Sequence, residues 1–139
     1  MSLQNGNFSD LTNLITGYGL SAFAQTTGSI NLVNCTFNGG GAFGGSSANI
    51  NINNCYLSIS HTNMFANFSG TLNVNDIVTS VFSFNNATGI VNIIGVLTHS
   101  NNSLFALNIP NLTINTISAN ATHPAILQAI SNGATVNII

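Results

Sequence analysis

The sequence has almost no charged side chains. The 139-residue chain contains no Lys and no Arg, and its acidic residues are limited to Asp10 and Asp76. Ordinary soluble domains carry about a quarter charged residues, so polarity here must come from Asn, Ser and Thr, with Asn alone at 25 positions. Without cationic side chains the chain cannot neutralise phosphates, which excludes the usual electrostatic binding of nucleic acids and anionic membranes. So little net charge also favours self-association.

Long apolar runs are missing as well. The mean hydropathy is positive, at +0.40, yet no segment approaches the roughly 18 to 20 continuous apolar residues of a membrane span. The hydrophobicity comes from alternation, as in Ile50-Asn51-Ile52-Asn53, so we expect no membrane insertion. Residues 1–13 lack the basic start and apolar block of a signal peptide. Export would then require a signal already removed, or delivery by assembly, as for virion parts.

What the sequence does contain is a pattern that returns about every 21 residues. It consists of Phe, six residues, an aliphatic residue, Asn or Thr, another aliphatic residue, two residues and a small apolar residue. A degenerate sixth copy runs from about Leu127 to Ile138. Such a period indicates stacked units that cannot bury their apolar faces alone. The five clear copies begin at Phe23, Phe43, Phe65, Phe84 and Phe105.

Each copy contains a strand signal, because its aliphatic–Asn–aliphatic triplet has a period of two. The strands are short, β-branched and bounded by Gly, Asn and Ser. Residues 124–130 are the only helix candidate, and we do not expect a helix there. The pattern predicts an all-β parallel β-helix, a β-solenoid of about six coils at residues 20–139, each stacked on the last at about 4.8 Å. Residues 1–19 are predicted to be a partial first coil or an N-terminal cap.

Three segments resemble known structures. Residues 30–37 and 50–57 are similar to the parallel β-helix repeat of the pectate-lyase-like superfamily, and residues 37–43 resemble turns of β-helical surface adhesins. The resemblance covers residues 20–139 and implies a single-stranded, right-handed coil. In character the chain is most similar to the non-enzymatic adhesin, tailspike or fibre β-helices. The same fold also serves polysaccharide lyases, so it does not by itself choose a function.

In register, the copies predict four inward columns of stacked apolar side chains. Stacked Phe rings in neighbouring coils would add to the stability that burial alone provides. The predicted columns are Phe23, Phe43, Phe65, Phe84 and Phe105; Ile30, Ile50, Leu72, Val91, Leu112 and Val136; Leu32, Ile52, Val74, Ile93, Ile114 and Ile138; and Cys35, Cys55, Ile77, Val96 and Ile117.

The outward strand positions predict polar columns, in which amides repeated at strand spacing hydrogen-bond along the stack. One interpretation is that these ladders only stabilise the solenoid. The other is that they form a flat polar face that binds a repetitive surface, such as ice, a polysaccharide or another copy. The main predicted column is Asn31, Asn51, Asn73, Asn92, Thr113 and Asn137, with Ser29, Asn49, Thr71, Ile90, Asn111 and Thr135 beside it.

The residues that could carry catalysis are few and far apart. Glycan hydrolysis usually needs two carboxylates within about 5 to 9.5 Å, but Asp10 and Asp76 are predicted to lie three coils apart, roughly 14 Å. Lyase chemistry in the resembled superfamily would call for a basic residue, and often for acidic calcium ligands, which this sequence does not offer. We therefore expect no enzyme activity and no cofactor.

Histidine and cysteine suggest no metal or redox site. His61 and His123 share an offset in the repeat but belong to coils three apart, and His99 lies in a polar turn, so solvated turn histidines are expected. Cys35 and Cys55 share a column in adjacent coils, near enough for a disulfide. Parallel Cβ vectors disfavour that bond, which leaves buried thiols as the favoured state. Seven N-glycosylation sequons are close to the number expected by chance.

The last strand of the sequence pattern indicates self-assembly. Residues 134–139 form a strand in register with no cap after it, and an exposed strand edge is a template for pairing. A fragment cut from a longer β-helix would also end in an uncapped strand, and this is the alternative explanation. The sequence predicts a non-enzymatic subunit of an extracellular or virion-surface fibre that assembles with itself. A glycan-binding viral or adhesin module and an ice-binding protein are the alternatives. Candidate assembly or polar-face residues are Asn31, Asn51, Asn73, Asn92, Thr113, Asn137, Ile138 and Ile139.

Overall fold

The computed structural model describes residues 2–4, 7–9, 26–34, 36–38, 43–54, 56–58, 65–75, 84–98 and 109–139. Strands dominate these residues. Several predictions lie outside the described residues, namely those for Asp10, Phe23, Cys35, Cys55, His61, Asp76, Ile77, His99 and Phe105.

Two parallel sheets make up the described structure. The larger sheet has the strand order β1-β3-β5-β7-β8-β9-β10, and the smaller sheet has the order β2-β4-β6. An eight-residue helix, α1, precedes the last strand. The strands are β1 (Ser2–Gln4), β2 (Asn7–Ser9), β3 (Ser29–Val33), β4 (Thr36–Asn38), β5 (Asn49–Asn53), β6 (Tyr56–Ser58), β7 (Thr71–Val74), β8 (Ile90–Ile93), β9 (Thr113–Thr116) and β10 (Thr135–Ile138), and the helix is α1 (Pro124–Ser131).

The strands stack in register along the solenoid. From β3 to β10, neighbouring asparagines of one column are 20, 22, 19, 23 and 22 residues apart in sequence. At one edge, β1 pairs with β3, placing Ser2 beside Asn31, and β2 pairs with β4. The predicted parallel β-solenoid is therefore confirmed, with a repeat close to the expected 21 residues.

The core is a continuous column along the inward face of the larger sheet. Strands alternate buried and outward residues, as the two-residue period predicts. Phe43, Phe65 and Phe84 are fully buried. Their rings stack face to face, with the Phe65 centroid 5.0 Å from that of Phe43 and 4.7 Å from that of Phe84. Phe68 packs edge-on against Phe65 at 5.4 Å. The phenylalanine column is confirmed for the three members that are described.

The register of β9 differs from the prediction by two residues. Ile114, not Leu112, pairs with Val91, and Thr116, not Ile114, pairs with Ile93. Leu112 lies just before β9 and is fully buried there. A slip of two residues keeps every side chain on its predicted face of the strand, so alternation alone cannot detect it.

The slip places a polar residue, Thr116, at an inward position of the core. Thr116 is fully buried; its hydroxyl donates to the Ile93 carbonyl oxygen at 3.1 Å and accepts from Asn120 Nδ2 at 2.9 Å. Asn120 also donates to the Gly95 carbonyl oxygen and accepts from the Leu97 amide, both at 2.9 Å. Because these polar groups have partners, burying them avoids the cost of an unsatisfied donor or acceptor.

Helix α1 contradicts the expectation that residues 124–130 do not form a helix. Pro124 occupies the first turn, where its missing N–H costs nothing, and the His123 side chain caps the helix by accepting from the Ala125 amide at 3.1 Å. Ala125, Ile126 and Ala129 are fully buried. An eight-residue helix offers barely two turns of periodicity, so contact with the core, rather than sequence pattern, stabilises it.

The fourth inward column was also wrong where it is described. Val96 is 45% exposed, and its neighbour Leu97 is buried instead. Ile117 is only half-buried. The chain bends between β8 and the residues that follow, with Leu97 in an isolated bridge. After a turn, the alternation of the preceding strand no longer determines which residues point inward. An inward column therefore cannot be extended across the turn from strand alternation alone.

A column of small residues precedes the strands. Ala48, Gly70 and Gly89 lie one residue before β5, β7 and β8, and all three are buried. A Cβ added at Gly70 would overlap the Ala48 carbonyl oxygen and lie 2.7 Å from the Ser47 carbonyl carbon. A Cβ at Gly89 would overlap the Gly70 carbonyl oxygen. Adjacent coils therefore approach backbone to backbone at Gly70 and Gly89, where only glycine fits without overlap.

Candidate functional site

The most regular polar feature of the described structure is a ladder of six asparagine side chains on the outer face of the larger sheet. Each amide bonds to the one in the preceding coil. The donor–acceptor distances are 2.7 Å for Asn51 to Asn31, 2.8 Å for Asn73 to Asn51, 2.7 Å for Asn92 to Asn73, 2.7 Å for Asn115 to Asn92 and 2.9 Å for Asn137 to Asn115.

The ladder follows directly from strand geometry. An outward residue at the same register position in each strand recurs at the strand spacing of about 4.8 Å. The amide of Asn carries donors on Nδ2 and an acceptor on Oδ1, so one side chain can bond both neighbours at once. In the ladder, Nδ2 of each residue donates to Oδ1 of the residue one coil earlier. The hydrogen bonds therefore all run in one direction along the solenoid.

A second set of asparagines lies at the corner that follows these strands. Asn54 donates to Asn34 at 2.7 Å, and Asn75 donates to Asn53 at 2.7 Å. Asn34 and Asn54 have φ angles of 53° and 50°. Asn adopts this left-handed conformation more readily than most residues, so it serves both the turn and the amide contact. The corner asparagines were missed in the sequence, although Asn34 and Asn54 recur twenty residues apart.

The structure brings five of the predicted polar residues into the ladder: Asn31, Asn51, Asn73, Asn92 and Asn137. The column predicted for Thr113 was wrong. Thr113 pairs with Ile90 in the neighbouring column, and Asn115 takes the place predicted for it. The same two-residue slip moves Asn111 out of the second predicted column.

Apolar side chains are exposed beside the ladder's last rung. Ile138 is 50% exposed although its register partner Thr116 is fully buried, and Ile139 is 68% exposed. On α1, Leu127 and Ile130 are each 52% exposed. Within the described residues, β10 pairs only with β9 and β1 only with β3. The two outer strands of the larger sheet thus each leave one edge without a strand partner in this part of the chain.

The described residues include little that could carry metal or acid–base chemistry. Within the ranges that the structure covers, no group of three His, Cys, Asp or Glu residues lies close enough to hold a metal ion. His123 caps α1 through its imidazole nitrogen and is half-buried, so the expectation of a solvated turn was wrong for this residue. No helix in the described ranges has the length and apolarity needed to cross a membrane.

The fold buries the asparagine of one of the seven N-glycosylation sequons, Asn120. Asn120 is 1% exposed, and both its amide oxygen and its amide nitrogen are bonded inside the core. The side chains of Asn34, Asn67, Asn86 and Asn111 are exposed. A glycan needs a free amide nitrogen at the surface, so in the folded chain Asn120 is unsuitable as an acceptor.

Comparison of the chain with protein-family models, with curated proteins and with solved structures finds no match. The parallel β-solenoid therefore stands on the residues and their geometry alone.

Proposed function

We propose that this chain is a non-enzymatic structural module that assembles with itself into an extracellular or virion-surface fibre. The observation that carries the proposal is the unbroken asparagine ladder, whose five hydrogen bonds link six successive strands. A solenoid stabilised by such repeated contacts is a unit that further coils or further copies can extend.

The charge composition supports this proposal. The formal net charge is −2, with no cationic side chain. Electrostatic repulsion between copies is therefore weak, and a chain of low net charge tends to associate. The absence of Lys and Arg also leaves no cleavage site for trypsin-like proteases, which suits a protein exposed outside the cell.

Sedimentation velocity over a hundredfold range of protein concentration, with negative-stain microscopy of the same samples, tests this function. We expect the weight-average sedimentation coefficient to rise with concentration and elongated particles to appear. A single monomeric species at every concentration would refute self-assembly.

A second candidate function is the binding of a repetitive ligand, such as a glycan, through the outer face. It is favoured by the regular spacing of the ladder amides, which repeats amide donors and acceptors at the strand spacing along the outer face. A glycan array tests this candidate, and thermal hysteresis tests the related possibility of ice binding. Binding that survives Asn73→Ala and Asn92→Ala would show that the ladder face is not the ligand site.

A further inference from the structure

We propose that Asn132-Gly133 is a site of spontaneous covalent modification, which the closed fold keeps unreactive and the opening of α1 makes reactive. Asn132 ends α1, and Gly133 follows it. The reaction is deamidation of the Asn132 side chain by the backbone nitrogen of Gly133. Its product adds a carboxylate to a chain whose formal net charge is only −2. The reaction takes place within a single copy and does not require self-assembly.

The reaction consumes one water molecule and releases one ammonia. The Gly133 nitrogen loses its proton and attacks Cγ of Asn132, so that a C–N bond forms; the bond between Cγ and Nδ2 breaks, and the amide nitrogen leaves as ammonia. Water then opens the resulting five-membered imide at one of its two carbonyl carbons. One opening gives an aspartyl residue, and the other gives an isoaspartyl residue, in which the backbone runs through the former side chain. Glycine favours the attack because it has no Cβ to hinder the approach.

The backbone of Asn132 holds the two reacting atoms apart in the closed structure. Its φ is −90° and its ψ is 10°. At this ψ the Gly133 nitrogen is nearly eclipsed with the backbone nitrogen of Asn132, and Cβ, another substituent of the same tetrahedral Cα, is rotated well away from it. The imide ring needs the Gly133 nitrogen to lie on the side of Cβ instead. The chain must therefore rotate about ψ before the ring can form.

The hydrogen bond of the attacking nitrogen also opposes the reaction. The Gly133 N–H donates to the Ile130 carbonyl oxygen at 3.0 Å, and the Ala134 N–H donates to the Ala129 carbonyl oxygen at 3.1 Å. With the positive φ of Gly133, 93°, these two bonds form the Schellman motif that ends many helices. A nitrogen in such a bond keeps its proton and faces the carbonyl oxygen, so it cannot attack Cγ until the turn opens.

Packing against the core holds this turn closed. A Cβ added at Gly133 would lie 3.3 Å from Cα of Pro110, so the turn contacts the segment before β9. Rotation of Asn132 therefore requires the end of α1 to move away from its neighbours. Since an eight-residue helix is marginal without tertiary contacts, α1 opens as one unit. The residues that α1 buries completely are Ala125, Ile126 and Ala129.

The modified residue cannot close the turn as Asn132 does. Either product carries a carboxylate at the C-terminal end of α1, where the negative end of the helix dipole repels it. The isoaspartyl product also adds one carbon to the backbone before Gly133, which breaks the spacing that the Schellman hydrogen bonds require. Because the ammonia has left, the change is irreversible, and it alters the connection between α1 and β10.

The experiment compares the rate of deamidation in folded and in unfolded protein. Wild-type chain is incubated at neutral pH in buffer and in denaturing urea, digested with chymotrypsin, and mapped by tandem mass spectrometry. Asn5-Gly6 and Asn38-Gly39 are the other two Asn-Gly pairs of the sequence and serve as references. We expect all three pairs to react at similar rates in urea. In buffer, Asn132 should react at least about tenfold more slowly than in urea, because only molecules with α1 open can react.

Two variants at the opposite end of α1 test whether this helix controls the reaction. His123→Ala removes the side chain that caps α1 by accepting from the Ala125 amide at 3.1 Å, and His123→Asn supplies another capping side chain. In buffer we expect His123→Ala to speed the conversion of Asn132 about fivefold and His123→Asn to stay near the wild-type rate. Neither variant touches the reacting pair, so neither should change the rate in urea. Circular dichroism checks that both variants fold.

Each outcome supports or overturns the inference. Conversion of Asn132 at the same rate in buffer and in urea, or no conversion in urea, overturns it. Equal rates in buffer for His123→Ala and wild type also overturn it, because α1 would then not control the reaction. If His123→Ala does not fold, wild-type chain in urea below its unfolding transition decides instead. There the rate at Asn132 should rise while the strands are still intact, and an unchanged rate would overturn the inference.

Discussion

The close approach of coils at Gly70 makes a sharp prediction for the substitution Gly70→Ala. The added methyl group would overlap the Ala48 carbonyl oxygen and sit 2.7 Å from the Ser47 carbonyl carbon and 2.9 Å from the Ala48 nitrogen. All three obstacles are backbone atoms, which cannot rotate away as a side chain would. That carbonyl oxygen also accepts the Thr71 amide hydrogen bond at 3.1 Å, so moving it breaks the contact between coils.

The expected cost has two parts. Overpacking a well-packed interior costs about 1–3 kcal/mol, and losing one backbone hydrogen bond adds about 0.5–1.5 kcal/mol. We therefore expect Gly70→Ala to lower the free energy of unfolding by about 2–4 kcal/mol. At about 4 °C per kcal/mol, the melting temperature falls by roughly 8–16 °C.

Urea denaturation and thermal unfolding followed by circular dichroism measure this loss. Gly44→Ala is the matched control, because the nearest atom to its added Cβ is the Ala66 carbonyl oxygen at 3.8 Å, an ordinary van der Waals contact. The control is expected to stay within about 0.5 kcal/mol of wild type. Gly89→Ala, whose added methyl group would meet the Gly70 backbone in the preceding coil, should repeat the loss. If Gly70→Ala and Gly44→Ala unfold alike, backbone contact between coils at this corner is refuted.

Three further substitutions test the core, the ladder and the helix. Phe65→Ala should cost about 3–5 kcal/mol through lost burial and a cavity, and Phe65→Leu clearly less; equal melting temperatures for the two would count against a stacked ring column. Asn73→Ala removes bonds to three asparagines, so in urea titration it should cost about 1–2 kcal/mol, more than Asn137→Ala, which removes one. His123→Ala should lower thermal stability by about 1 kcal/mol and His123→Asn should restore it, because Asn also caps helices; no difference between the two would argue against the cap.

The candidate site was predicted well where strand alternation decides it. Asn51 and Asn73 lie between two aliphatic residues, so their outward position follows from a period of two, and the repeat length placed them in one column. Asn115 was missed because a shift by two residues conserves the inward and outward faces. Only the pairing of β9 with β8, seen in the backbone, distinguishes Asn115 from Thr113.

The corner asparagines and the buried polar cluster depended on features that alternation does not encode. Asn34 takes a positive φ because the chain must turn there. Thr116 can be buried because Asn120, four residues later and beyond a turn, reaches back to its hydroxyl. Both features depend on turns and hydrogen bonds that form only once the coil has folded, and the alternation of apolar and polar residues does not specify them.

The sequence by itself determined the architecture of this protein. A period of about 21 residues, aliphatic residues on alternate positions and a nearly uncharged polar set require strands that stack and share one core. The tertiary structure decided the register of β9, the helix at Pro124–Ser131, and the single direction of the asparagine ladder. These features depend on the contacts between neighbouring coils. The order of apolar and polar residues in the sequence does not predict a two-residue shift in register, a two-turn helix or the orientation of an amide.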